Sequence, residues 1–98
     1  KTREIVTKID TKLNTTKGKY YSDFYIWITN NIDRRLFDEH NVSKYNHPWW
    51  IYMPAINDSH SRAVEKYYLD KWMKGGGWGW DNSAVYVYCY EVTSYTNE

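Results

Sequence analysis

Tyr25-Ile26-Trp27-Ile28-Thr29-Asn30-Asn31-Ile32-Asp33-Arg34-Arg35-Leu36 is the stretch on which the fold turns. Its first part belongs to residues 20–28, an aromatic and β-branched run that predicts a strand centred on Phe24 to Ile28. Thr29 or Asn30 then offers a helix cap, and Asp33 places an acid in the first turn, where the helix dipole favours it. Ile32 and Leu36 stand four apart, on one face of that helix. The stretch therefore reads as a strand feeding directly into a helix that ends near His40.

Upstream, Ile5, Ile9 and Leu13 repeat every four residues with Val6 beside them, which predicts a helix fading near Asn14. Downstream, residues 41–48 read as a loop and residues 49–53 as a strand stopped by Pro54. Asn57, Asp58 and Ser59 offer caps for a helix running to about Lys74, which Gly75-Gly76-Gly77 would end. Residues 84–92 alternate cleanly, with Val85, Val87 and Cys89 against Tyr86, Tyr88 and Tyr90, and give the clearest strand in the chain. The expected fold is α+β in one domain over residues 1–98: a three-stranded sheet flanked by about three helices. Strands 22–28, 49–54 and 84–92 share that sheet.

Composition sets the bounds. The chain has 98 residues, 13 Lys and Arg against 12 Asp and Glu, and a net charge of +1. Aliphatic residues are few, but six Trp and eleven Tyr supply the apolar area a core needs. The charge balance gives no bulk electrostatic case for nucleic acid and leaves only a local patch. The longest apolar run, residues 49–56, is far short of the ~20 residues of a membrane span, so no membrane partner is expected. No secretory leader is visible, and the single cysteine, Cys89, excludes an internal disulfide and any thiolate metal cluster. A reduced, cytoplasmic setting is the expectation. His40, His47 and His60 lack zinc-site spacing.

The run from Tyr25 to Leu36, closing with Glu39-His40-Asn41, resembles the GIY-YIG nuclease family. Tyr25 takes the place of the tyrosine in the family's Tyr-Ile-Gly strand, Arg35 falls ten residues on, Leu36 follows it, and His40 comes one residue later than the usual spacing. A further strand and a helix with a metal-binding glutamate would follow; residues 49–53 and Glu65 take those places. The resemblance spans roughly residues 22–74. It implies a GIY-YIG-like fold and a divalent-metal-dependent DNA endonuclease. In that enzyme Tyr25 aids proton transfer, Arg35 binds phosphate and Glu65 holds Mg²⁺. The chemistry is consistent: a carboxylate can hold one Mg²⁺ whose other positions are water, and a guanidinium forks onto phosphate oxygens.

Two features set this chain apart from that pattern. Trp27 stands where the family has glycine. The family's Gly-Ile-Tyr strand is absent from its usual place, so strand 84–92 would pair in its stead, with Tyr86, Tyr88 or Tyr90 supplying the second tyrosine. The loop Gly75-Gly76-Gly77-Trp78-Gly79-Trp80 combines close-approach glycines with flat indoles. Trp27, Trp72, Trp78 and Trp80 would then converge on the cleft of Tyr25, Arg35 and Glu65. That geometry leads to the expectation of a divergent or repurposed module: a Trp-lined pocket for an apolar or aromatic small molecule, with catalysis weakened or lost and no cofactor. The alternatives are the Mg²⁺-dependent endonuclease acting on nucleic acid, and a protein-interaction domain using the Trp-rich loop.

Overall fold

A computed structural model describes residues 2–16, 19–43, 49–55, 57–75 and 85–98. Helix α1 spans Thr2–Leu13, a short 3-10 turn spans Tyr21–Asp23, and strand β1 spans Phe24–Thr29. A π-helix, Asp33–Glu39, follows, then β2 at Trp50–Pro54, α2 at Asp58–Leu69, β3 at Lys74–Gly75 and β4 at Tyr86–Glu91. The sheet order is β2-β4-β1-β3. Strand β4 is antiparallel to both β1 and β2, while β3 runs parallel to β1. The result is a small α+β fold with a mixed four-stranded sheet, and no helix among the described residues is long and apolar enough to cross a membrane.

All six residues of β1 are buried because both faces of the sheet are covered. Phe24, Ile26 and Ile28, with Val87 and Cys89 of β4, face α1 and α2 and pack with Ile5, Ile9, Val64, Tyr68 and Met73. The other face presents Tyr25, Trp27, Tyr88 and Tyr90 to Leu36 of the π-helix and to Val42. The period-two alternation of a strand produces this division. Cys89 lies in the first core, 3.7 Å from Met73 Sδ, and burial pushes its thiol pKa up, so it acts as a small apolar side chain. The Tyr68 hydroxyl lies 2.8 Å from Asp10 Oδ1 and 3.0 Å from the Val6 carbonyl oxygen, tying α2 to α1.

Four sequence expectations are corrected. The sheet has four strands, the fourth being Lys74–Gly75. Residues 21–23 form a 3-10 turn, with the backbone N–H of Tyr20 donating to Asp23 Oδ2 at 2.7 Å, so β1 starts at Phe24. Helix α2 stops at Leu69, five residues short of Lys74. The chain then turns at Trp72, whose φ is 73°. Trp72 N–H donates to the Leu69 carbonyl and Met73 N–H to that of Tyr68, the paired closure of a Schellman motif with tryptophan at the position that favours glycine. Gly75 instead lies against β1: a Cβ there would stand 2.5 Å from the Ile26 carbonyl oxygen and 2.7 Å from Leu69 Cδ2.

Trp72 is 84% exposed, so its indole contributes little packing to offset a left-handed backbone. Trp72→Gly is expected to stabilise the fold by about 1 kcal/mol, a rise of several degrees in Tm by thermal melting. A fall in Tm would show instead that the indole holds the fold together.

Candidate active site

The aromatic face of the sheet and the π-helix together build one polar cluster. In the π-helix the turn is widened: His40 N–H donates to the Arg35 carbonyl, five residues back, at 2.9 Å. Such widened turns carry an extra residue relative to an α-helix. They set Arg35, Glu39 and His40 along one flank, over the ends of Tyr25, Tyr88 and Tyr90.

His40 is the hub. Its Nε2 lies 2.7 Å from the Tyr88 hydroxyl, and its Nδ1 lies 2.6 Å from the Asn97 carbonyl oxygen and 2.9 Å from the Tyr90 hydroxyl. A carbonyl only accepts, so Nδ1 carries the proton and Nε2 accepts from Tyr88 O–H. Tyr90 in turn lies 3.0 Å from Glu98 Oε2. The Tyr25 ring stands 4.7 Å from the imidazole and 5.2 Å from Tyr90, centroid to centroid. Burial, above all, lowers the His40 pKa, which favours the neutral imidazole. Burial likewise pushes the Tyr88 and Tyr90 phenols well up.

Arg35 donates to Glu39 Oε1 at 2.7 Å, and Arg34 Nε lies 3.3 Å from Glu39 Oε2. The Arg35 side chain is only 12% exposed, so its charge is poorly screened. A cavity of about 290 Å³ opens here, lined by Tyr25, Arg35, Glu39, His40, Asn97 and Glu98.

Tyr25 and Arg35 thus line one cavity. Trp27 shares their sheet face but is buried, 6% exposed, in the core beneath the π-helix. Trp72 lies on the surface after α2, so these two indoles do not wall a common pocket. Trp78 and Trp80 lie outside the described residues. Helix α2, which carries Glu65, packs its Val64 and Tyr68 on the sheet face opposite to Trp27. Glu65 is half-buried, and its Oε2 is buried with no hydrogen-bond partner among the described residues. Its charge, with those of Arg35 and Glu39, is nevertheless felt at the Tyr88 phenol, after the larger effects of burial and Tyr25. No group of three or more metal-ligating side chains occurs among the described residues. Glu65 is not among the residues that line the Tyr25–Arg35 cavity, so it is not brought together with them as a metal ligand there.

The GIY-YIG resemblance singles out Tyr25 and Arg35 in the sequence. It did not give His40 its partners, because Tyr88 and Tyr90 reach it only through the pairing of β4 with β1. Asn97 and Glu98 carry no sequence signal.

Burial raises the Glu65 pKa above the ordinary 4.5, with Arg62 opposing it. The native state then holds a proton that the unfolded chain releases, so ionised Glu65 destabilises the fold at neutral pH. That penalty disappears as pH falls below the unfolded value of 4.5. Glu65→Gln is therefore expected to raise Tm at neutral pH, with the gain shrinking to nothing below about pH 4.5, where both side chains are neutral. Melts across that pH range check it, and a loss of Tm at neutral pH would show that the carboxylate is stabilised. His40 has the opposite sign: its lowered pKa adds a destabilisation that sets in as pH falls below the ordinary 6.5.

No protein-family model matches the chain, and comparison with curated proteins and with solved structures gives no significant match.

Proposed function

We propose that this chain is a divalent-metal-assisted phosphodiesterase acting on nucleic acid, built as a GIY-YIG-like domain in which β4 replaces the Gly-Ile-Tyr strand. The observation that carries the reading is the cavity that joins Tyr25 and Arg35 beside a neutral His40 hydrogen-bonded to Tyr88. Strand β4 pairs antiparallel with β1, in register Tyr25↔Tyr90 and Trp27↔Tyr88, so it supplies tyrosines to the same face. The widened π-helical turn also accommodates the one-residue delay of His40 relative to the family spacing. Trp27 packs into the core, so it does not occupy the cavity that a phosphate would enter.

In this reading the desolvated Arg35 guanidinium binds phosphate oxygens and meets the charge that grows on them in the transition state. Tyr25 lines the cavity and transfers protons at the reacting oxygen. His40, held in the Nδ1–H tautomer by Asn97, lines the cavity as a neutral ring and fixes the Tyr88 hydroxyl. A divalent cation would polarise the phosphate and stabilise the leaving oxygen when bound; of the carboxylates, Glu39 and Glu98 line the cavity and Glu65 does not.

The test is cleavage of plasmid DNA and of single-stranded oligonucleotides with Mg²⁺ or Mn²⁺, against a chelator control. Metal-dependent nicking supports the reading, and no cleavage under either metal removes it. A second reading is favoured by the 84% exposed Trp72: a binding module for an apolar or aromatic ligand, with catalysis lost. Robust cleavage by the unaltered chain would eliminate that alternative.

A further inference from the structure

Cross-strand register arranges the aromatic face of the sheet in rows. Trp50 pairs with Tyr90, which pairs with Tyr25; Tyr52 pairs with Tyr88, which pairs with Trp27. The π-helix covers the β1 side of these rows, but the β2 side remains open. There Tyr52 is 44% exposed, and its ring lies 6.1 Å from that of Trp50 at an interplanar angle of 5°. Tyr86 stands edge-on to Tyr52, at 6.2 Å and 75°, and Phe37 edge-on to Trp50, at 5.2 Å and 87°. The rings are thereby fixed in orientation before anything binds. Above them a groove of about 470 Å³ is bordered by Asn30, Asn31 and Asp33.

We propose that this groove seats an unpaired nucleobase of the strand whose phosphate occupies the Tyr25–Arg35 cavity; the inference rests on the phosphodiesterase reading. Three observations select a base. The two near-parallel rings offer flat faces, and a base exposes its own face only when unpaired. The rim carries amides and a carboxylate, which suit exocyclic amino groups and ring carbonyls, and no cation is among the described residues that line the groove, so none of these pairs with phosphate. The groove opens on the Asp33 and Phe37 flank of the π-helix and the cavity on its Arg35 and Glu39 flank. A strand joining them passes around the π-helix, so it spans more than the roughly 10 Å of two strand spacings and takes several nucleotides at about 3.4 Å or more each.

The test is binding without metal, by anisotropy of labelled oligothymidine and of an abasic oligonucleotide of equal length. The unaltered chain is expected to prefer oligothymidine. Tyr52→Ala is expected to weaken that binding by about 5- to 100-fold while leaving abasic binding unchanged, and Tyr52→Phe is expected to retain it. Tyr52 is exposed, so its loss leaves the core intact; Trp50→Ala, which also strips a contact from Phe37, serves only as a second variant. Equal binding of the two oligonucleotides, no effect of Tyr52→Ala, no binding at all, or an oligosaccharide held in a Tyr52-dependent way would each overturn the proposal. Hydrolysis of bis(p-nitrophenyl) phosphate, which carries no nucleobase, reports on the cavity separately, so failure of the phosphodiesterase reading is distinguishable from failure of the groove.

Discussion

Trp27→Gly is expected to destabilise the protein by about 3–5 kcal/mol, a large share of the whole stability of a domain this size. The indole is 6% exposed, in the core with Leu36, Val42 and Tyr88. Its removal opens a cavity in the middle of a strand buried along its length. Glycine in a strand interior adds a further backbone cost of roughly 0.5–1 kcal/mol. One term opposes these: Trp27 Nε1 is buried with no hydrogen-bond partner among the described residues, and removing it recovers about 1–3 kcal/mol. The cavity term still dominates, because it involves the whole bicyclic ring. Trp27→Phe loses the orphaned N–H and less volume, and is expected to stay within about 1.5 kcal/mol of the parent. Urea denaturation of the three proteins decides. A loss under about 1 kcal/mol for Trp27→Gly would mean that the indole does not support the core. Placing glycine at position 27 is therefore a folding perturbation before anything else, and any cleavage by that variant must be read against its folded fraction.

The readable parts of the fold were those with a local period. Ile5 and Ile9 announce α1 because one buried face imposes its spacing, and the alternation of Val87 and Cys89 with Tyr86, Tyr88 and Tyr90 announces β4 because its two faces meet different cores, aliphatic on one side and aromatic on the other. Strand β3 has no such signature: two residues, Lys74 and Gly75, become a strand only because Ile26 lies beside them. The π-helix was equally hidden. Ile32 and Leu36 fit an α-helical stripe, and the widening depends on the bond from His40 N–H to the Arg35 carbonyl, which no side-chain period encodes. Trp72 occupies a left-handed turn that composition assigns to glycine, so the helix end was placed at the Gly75 run instead. In the candidate site the same division holds. Tyr25 and Arg35 are ten residues apart and legible together, whereas the contact of His40 with Tyr88 spans 48 residues and exists only once β4 has paired with β1.

Arg35→Ala is expected to lower metal-dependent phosphodiester cleavage by about 10²–10³-fold, the usual effect of removing one group aimed at transition-state charge. Some stability is lost as well, because the Arg35 side chain is only 12% exposed and its stem packs against its surroundings, while Glu39 keeps Arg34 as a partner. Rate corrected for the folded fraction separates a chemical role from a structural one. Arg35→Lys keeps the charge but not the planar fork, and is expected to fall between the parent and the alanine variant. Cleavage kinetics alongside thermal melts give both readings. If Arg35→Ala cleaved at the parental rate while remaining folded, the cavity would not be the reacting site. If the rate fell only in proportion to the folded fraction, the guanidinium would be holding the π-helix against Tyr25 rather than meeting phosphate.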